Sequence, residues 1–258
     1  MTIRTAAVLG AGTMGAQIAA HLANAGVPTL LLDVSAEAAR HGLERAKSLK
    51  PDPFFTSDTH TLVRTGSLDD LSGLSACDWI VEAVVERLDI KQSLLERVEA
   101  HTGGAAIISS NTSGIPVAAI AAGRGASFRE RWLGTHFFNP PRYLTLLEVI
   151  PTDDTRPGVL QTIVGFADRR LGKGVVVARD TPSFIANRIG LYGLMRVFRA
   201  LSTGRYTVEE VDAITGPAIG RPKSATFRTM DLAGLDVLAH VAADLALRLD
   251  GEERTAFT

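Results

Sequence analysis

The sequence predicts an α/β fold: a mostly parallel sheet with late antiparallel strands, followed by an all-helical second part. Three observations carry that prediction. Short continuous apolar runs alternate with helical periods as far as Ala178. A glycine-rich turn stands between the first such run and the first helix, and beyond Pro182 only helical patterns remain.

Residues 3–9 form an apolar run of the kind found in strands buried on both faces of a parallel sheet. Gly10-Ala-Gly-Thr-Met-Gly15 follows, then an alanine-rich helical stretch, Ala16–Asn24, stopped by Gly26. Thr29–Leu32 is a second buried strand, closed by Asp33. A crossover of this β-turn-α-β kind is almost always right-handed. Ser35 is placed to cap a helix over 36–50, which Pro51-Asp-Pro53 ends. Phe54–Gly73 has no clean period and reads as a loop with one short strand at 61–64. Trp79–Ala83 predicts a buried strand, and Asp89–Ala100 a helix whose apolar face is 90, 94, 95 and 98. Ala105–Ser109 reads as a strand and Ile115–Ala122 as a helix with proline in its first turn. Strands at 132–138 and 144–150 are joined by Asn139-Pro-Pro-Arg-Tyr143, a connection so short that the pair must be antiparallel. A helix over 156–171 and a strand over 174–178 complete the α/β part. Helices over 183–201, 207–215 and 232–249 follow, so the predicted domains are 1–181 and 182–258, with the boundary at Asp180-Thr-Pro182.

Composition narrows the class of function. The chain has 258 residues, with 27 basic against 28 acidic side chains and a net charge of −1. That balance removes the electrostatic case for nucleic acid or an anionic membrane as main partner. Hydrophobic residues at 46% and charged residues at 21% are ordinary for a soluble domain. No stretch approaches the roughly 18 apolar residues of a membrane helix, and the N-terminus does not read as a signal peptide. The single cysteine, Cys77, excludes a disulfide framework and a multi-thiolate metal site, and reads as a small buried group in a reducing, cytoplasmic setting. His21, His41, His60, His101 and His240 show no ligand spacing and read as structural or exposed, so no metal is expected.

The glycine turn has the context that a dinucleotide site requires: a strand before it, a helix after it and an acidic residue, Asp33, closing the next strand. Gly10 permits the tight turn, Gly12 lets backbone approach the pyrophosphate, and Gly15 lets the helix pack on the sheet. The helix N-terminus offers N–H groups and a positive dipole end to the phosphates. A carboxylate at Asp33 accepts hydrogen bonds from ribose hydroxyls and repels a 2′-phosphate, which favours NAD over NADP. The fold is therefore predicted to be of the Rossmann type.

A second constellation is His136 with Glu148. If the hairpin connection is centred near Arg142, antiparallel register sets the two side by side on one sheet face. An imidazole beside a carboxylate has its tautomer fixed and its protonated form stabilised, as a base taking an alcohol proton near neutral pH requires. The alternative is a satisfied core histidine beside an edge carboxylate. Glu86 and Asn111-Thr-Ser113 follow strand ends, where open α/β sheets bind ligands, and could equally be caps or turn residues.

Taken together, Gly10-Ala-Gly-Thr-Met-Gly15, Val81-Glu-Ala-Val-Val-Glu86, Ser110-Asn-Thr-Ser113, His136-Phe-Phe-Asn-Pro140, Leu147-Glu-Val149 and Asp180-Thr-Pro-Ser-Phe-Ile-Ala-Asn-Arg188 resemble the 3-hydroxyacyl-CoA dehydrogenase family of fatty-acid β-oxidation. The resemblance runs in order through nearly the whole chain. Ile214-Thr-Gly-Pro and Gly220-Arg-Pro-Lys-Ser-Ala-Thr-Phe-Arg228 look most like large bacterial members in which an enoyl-CoA hydratase segment follows. The resemblance implies His136 as catalytic base, Glu148 as the residue orienting it, and Ser113 and Asn187 as hydrogen-bond partners of the substrate's 3-oxygen. It implies Gly10, Gly12, Thr13, Met14, Gly15 and Asp33 as cofactor contacts, with Glu86, Lys91 and Asn111 around the nicotinamide and Asn139 beside the catalytic histidine. The implied reaction is oxidation of an L-3-hydroxyacyl-CoA by NAD⁺, in a homodimer or as part of a larger fused chain.

Two departures from the family pattern stand out. Family members often carry a long helical hairpin after the second strand that supplies coenzyme A contacts, whereas only residues 34–67 separate Asp33 from Leu68 here. The helix bearing Arg40, Arg45, Lys47 and Lys50 could offer charge to the CoA phosphates or be a solvated basic face. The helical domain also lacks the family's later part, so it is expected to be incomplete. Two other readings compete: a hydroxyacid-type dehydrogenase, which needs a catalytic lysine motif that the sequence does not supply, and an NAD-binding module with little activity of its own.

Overall fold

In the computed structural model, residues 2–255 and 257 are described, with the side chains of Leu232, Ala233, Asp236, Val237, His240, Asp244, Glu252 and Glu253 left aside. The expectation for His240 therefore lies outside the described residues. The chain divides into two compact units, Met1–Asp180 and Thr181–Thr258.

The first unit is built on one eight-stranded sheet. In chain order it runs β1 (Ala6–Leu9), α1 (Thr13–Asn24), β2 (Thr29–Asp33), α2 (Ala36–Lys47), β3 (Val63–Ser67), β4 (Trp79–Glu82), α3 (Leu88–His101), β5 (Ile107–Ser110), α4 (Val117–Ile120), α5 (Ala126–Arg129), β6 (Trp132–Phe137), β7 (Leu146–Pro151), α6 (Pro157–Leu171) and β8 (Gly174–Val177). The strand order is β3-β2-β1-β4-β5-β6-β7-β8. Every neighbouring pair is parallel except β6 and β7. The order reverses direction at β1, between β2 and β4, which is where sheets of this kind bind ligands.

The central strands are buried on both faces, as their continuous apolar runs demand: all four residues of β1 and of β4 are buried. The core lies between the sheet and α1, α2 and α6, where Ala16, Ala19, Ala20 and Ala23 let α1 approach closely. Ser35 does cap α2, its hydroxyl accepting from Ala38 N–H at 3.0 Å.

Several elements differ from the sequence expectation. The short strand falls at Val63–Ser67 rather than 61–64, after a 3₁₀ turn over Thr59–Leu62. The predicted helix over 115–122 shortens to α4, and α5 was not foreseen. On α3 the buried face is Lys91, Leu94, Leu95 and Val98, while Ile90 is exposed. Cys77 is half-buried rather than buried, and burial still pushes its thiol up to about 11.

The second unit is helical: α7 (Ala186–Ser202), α8 (Val208–Thr215), α9 (Phe227–Ala233), α10 (Leu235–Arg248) and α11 (Gly251–Arg254). Thr207 and Glu210 form a reciprocal capping box at the start of α8. The helix expected over 232–249 starts at Leu235 instead, because Gly234, at φ 94°, separates it from α9, an element the sequence pattern does not predict. Ile189, Ile214, Leu235 and Leu247 are all more than half exposed. Among the described residues, no helix is long and apolar enough to cross a membrane.

Candidate active site

The site is assembled at the carboxyl ends of β1, β2, β4, β5 and β6. The turn after β1 is sterically tuned. A Cβ on Gly10 would stand 2.6 Å from Ala83 O, and one on Gly15 would stand 1.8 Å from Gly10 O. A Cβ on Gly12, by contrast, would meet nothing within 4 Å. The first two glycines are thus needed by the fold, and the third borders open space. Gly12 is the N-cap of α1 and supplies no side-chain acceptor, and the first turn carries no acidic residue. The end of α1 that includes Thr13, Met14 and Gly15 therefore presents uncapped N–H groups to an anion.

Asp33 is held to this turn. Its Oδ2 accepts from Ala11 N–H at 2.6 Å and its Oδ1 from Val34 N–H at 2.7 Å, which orients the carboxylate and leaves lone pairs for a ribose. A cleft of about 590 Å³ runs past Gly10, Gly12, Asp33, Val34, Ala83 and Ile90. Its apolar wall explains the reversal on α3, since Ile90 turns toward the cleft while Lys91 turns inward. An NAD molecule fits this arrangement: acid for ribose, bare backbone for pyrophosphate and apolar wall for the base. Among the described residues there is no cluster of three His, Cys, Asp or Glu placed to hold a metal.

Across the sheet, β6 and β7 pair in the register that sets His136 opposite Glu148. Nδ1 of His136 lies 2.7 Å from Glu148 Oε2, with His136 4% exposed and Glu148 fully buried. At that distance Nδ1–H donates to the carboxylate, and the ring's basic lone pair is on Nε2. The Phe138 ring packs on the imidazole with centroids 4.4 Å apart. Asn111 ties this strand to its neighbour, its Oδ1 accepting from Phe137 N–H at 2.9 Å. Asn139 is fixed from α1, its Oδ1 accepting from Gln17 Nε2 at 3.0 Å.

Between the two clusters stands Glu86. Its Oε1 accepts from the Thr112 hydroxyl at 2.6 Å, Ser113 N–H at 2.8 Å and Gly114 N–H at 3.2 Å. Burial pushes its carboxyl up, but the Lys91 ammonium and these donors together outweigh that and hold it below the ordinary carboxylate value. Lys91, expected as a contact of the cofactor, is itself only 1% exposed and lies beneath Glu86.

Of the residues predicted from sequence, the first unit thus gathers Gly10, Gly12, Thr13, Met14, Gly15, Asp33, Glu86, Lys91, Asn111, Ser113, His136, Asn139 and Glu148 along one end of its sheet. Asn187 lies in the second unit, half-buried in the first turn of α7. Asp180 serves as a helix cap, accepting from Val117 and Ala118 N–H at 2.8 Å each. Arg45 of the basic helix supports the glycine turn through Ala11 O at 3.1 Å, while Arg40 and Lys47 pair with Glu37 and Glu44. Sequence reasoning missed Gln17, Glu82 and Ser110. Their only signal is a polar side chain at a position that pattern assigns to the core.

A 3-hydroxyacyl-CoA dehydrogenase NAD-binding domain model matches residues 5–181, and the corresponding C-terminal domain model matches residues 184–257. The chain belongs to the 3-hydroxyacyl-CoA dehydrogenase family. It is 52% identical over 253 residues to a Deinococcus radiodurans protein named a 3-hydroxyacyl-CoA dehydrogenase, covering 95% of this chain and 73% of that one. A Bacillus subtilis protein of the same name is 47% identical over 99% of this chain, which spans only 35% of that relative's length. The crystal structure of (S)-3-hydroxybutyryl-CoA dehydrogenase from Ralstonia eutropha superposes with a TM-score of 0.85 at 27% identity, covering 98% of this chain and 90% of that one. The dehydrogenase is thus NAD-dependent, with its NAD-binding domain over residues 5–181.

Proposed function

We propose that the protein oxidises L-3-hydroxyacyl-CoA to 3-oxoacyl-CoA, with His136 as general base oriented by Glu148. The observation that carries this reading is the buried 2.7 Å contact between the imidazole and the carboxylate, on the same sheet end as the NAD cleft. Nε2 of His136 takes the 3-hydroxyl proton, and the Glu148 carboxylate balances the imidazolium that forms. Bound NAD⁺ supplies the hydride acceptor for C3. Ser113, held in place by Glu86, donates to the 3-oxygen, and Asn187 keeps the role that the family resemblance gives it. Activity in fatty-acid β-oxidation accords with the name of a Rickettsia felis relative, a fatty acid oxidation complex trifunctional enzyme 33% identical over 259 residues. The exposed apolar residues of the helical unit support a role for it in dimer contacts.

The test is NADH formation from 3-hydroxybutyryl-CoA and from a longer 3-hydroxyacyl-CoA, with His136→Gln and Glu148→Gln beside the parent. Loss of the base is expected to lower the rate by roughly 10² to 10⁴. A parent that binds NAD yet turns over neither substrate would overturn the proposal. That outcome would favour a second reading, an NAD-binding module that works within a longer chain, which the short span along the Bacillus relative supports.

A further inference from the structure

Lys91 and Glu82 are an unusual pair, because both are almost wholly removed from solvent at 1% and 0% exposure. Burying two charges carries a desolvation penalty that only tight and complete pairing offsets. Here the pairing is complete. The Lys91 ammonium has three N–H groups, and it reaches Glu82 Oε1 at 2.7 Å, Glu86 Oε2 at 3.2 Å and Val84 O at 3.4 Å. Glu82 is equally committed, with Oε1 also accepting from Val84 N–H at 2.7 Å and Oε2 from the Ser110 hydroxyl at 2.5 Å.

The contacts form a closed circuit around the 110–114 turn. Ser110 is held by Glu82, Asn111 N–H donates to Glu82 O at 2.7 Å, and Ser113 and Gly114 are held by Glu86. Lys91 joins the two carboxylates from below. Glu86 alone of the three charged groups reaches the surface, with its side chain 44% exposed. With the adenosine ribose at Asp33 on β2 and the pyrophosphate at the turn after β1, the rest of a bound dinucleotide must pass over β4 and β5. It meets the surface that Glu86 and Ser113 make.

We propose that Glu82 is a positioning residue for the nicotinamide half of the cofactor site: acting through Lys91, it fixes Glu86 and the 110–114 turn without touching the cofactor. Lys91 is the support through which Glu82 acts on Glu86. Neutralising Glu82 takes away the shorter of the ammonium's two ionic contacts. Lys91, no longer held from below, then ceases to fix Glu86 in place, and the position of Glu86 against Thr112, Ser113 and Gly114 is lost.

The experiment is calorimetric titration of Glu82→Gln with two probes, NAD⁺ and ADP, where ADP reaches only the Asp33 and glycine-turn half. The expected result is NAD⁺ affinity lowered about ten-fold or more, the effect of losing one charge-assisted hydrogen bond, with ADP affinity unchanged. The double variant Glu82→Gln/Lys91→Met, which removes both buried charges, provides a foldable comparison if the single variant is too unstable. It is expected to show the same NAD⁺-specific loss, because Glu86 has lost its cation. Parental NAD⁺ affinity in either variant, or equal losses for NAD⁺ and ADP, would overturn the proposal. Both probes depend on NAD binding alone, so the outcome is independent of whether the chain oxidises a 3-hydroxyacyl-CoA.

Discussion

The glycine turn after β1 and the β6–β7 hairpin serve the same end of one sheet but are held by different physics. The turn is fixed by what is missing: Gly10 and Gly15 have no Cβ because backbone already occupies that space. The hairpin is fixed by what is paired, with His136 on Glu148, Phe137 N–H on Asn111, and Asn139 on Gln17. Steric fixing fails abruptly, whereas polar pairing fails by degrees and with pH. The two regions should therefore respond differently to substitution.

The largest effect is expected within the turn itself. Gly15→Ala drives a methyl into Gly10 O, which is backbone and cannot rotate away, so a loss of about 3 kcal/mol or more is expected along with loss of NAD binding. Gly12→Ala meets nothing within 4 Å in the protein. It should leave stability within about 1 kcal/mol of the parent while still weakening NAD, since the methyl enters the cofactor's space. Urea unfolding and calorimetric NAD titration on both variants check this. Equal stability for the two would mean that the turn is not sterically fixed.

A smaller effect is expected at Asp33, the one polar anchor in an otherwise steric region. Asp33→Ala removes the acceptor for the ribose hydroxyls, and hydrogen bonds to a charged group contribute roughly 1.5 to 3 kcal/mol. NAD affinity should fall about ten- to a hundred-fold, with the preference over NADP shrinking as the repulsive charge goes. Parallel titrations with NAD and NADP measure both. An unchanged NAD affinity would remove Asp33 from the site.

The same contrast explains what could be read in the sequence. The turn was legible because its determinants are local and glycines announce themselves. The His136–Glu148 pairing was legible because a short antiparallel connection fixes register, and register fixes which side chains are neighbours. The Glu82–Lys91–Glu86 circuit was not. A helical period assigns Ile90 to the core and Lys91 to water, and the apolar cleft wall together with the carboxylates on β4 and just beyond it reverses that assignment. Nor was β3 placed correctly, because Arg64-Thr-Gly-Ser67 carries little apolar signal on an edge strand. At Gly234 the apolar period continues on both sides, so the break lies in the glycine's positive φ and not in the pattern.

A buried pair of bases beside the hairpin connection allows the polar side of the comparison to be tested by pH. His21, in the last turn of α1, is 5% exposed with its Nε2 3.1 Å from Leu171 O. Lys173 is 3% exposed and donates to Pro141 O and to Leu144 O, the latter at 2.8 Å, thereby holding the hairpin. Burial first and then the charge of Lys173 push His21 down to about 4, opposed by the Leu171 carbonyl and helped least by Arg142. The unfolded chain, with His21 near 6.5, therefore binds more protons than the folded one between about pH 6.5 and 4. Stability from this group is complete above pH 6.5 and is lost as pH falls through that window. Between pH 7 and 4.5 the loss amounts to about 2 kcal/mol. His21→Gln keeps a donor for Leu171 O and cannot titrate, so its urea-unfolding free energy should fall less over that range by about the same 2 kcal/mol. Identical pH slopes for parent and variant would show that His21 is not held neutral in the folded chain.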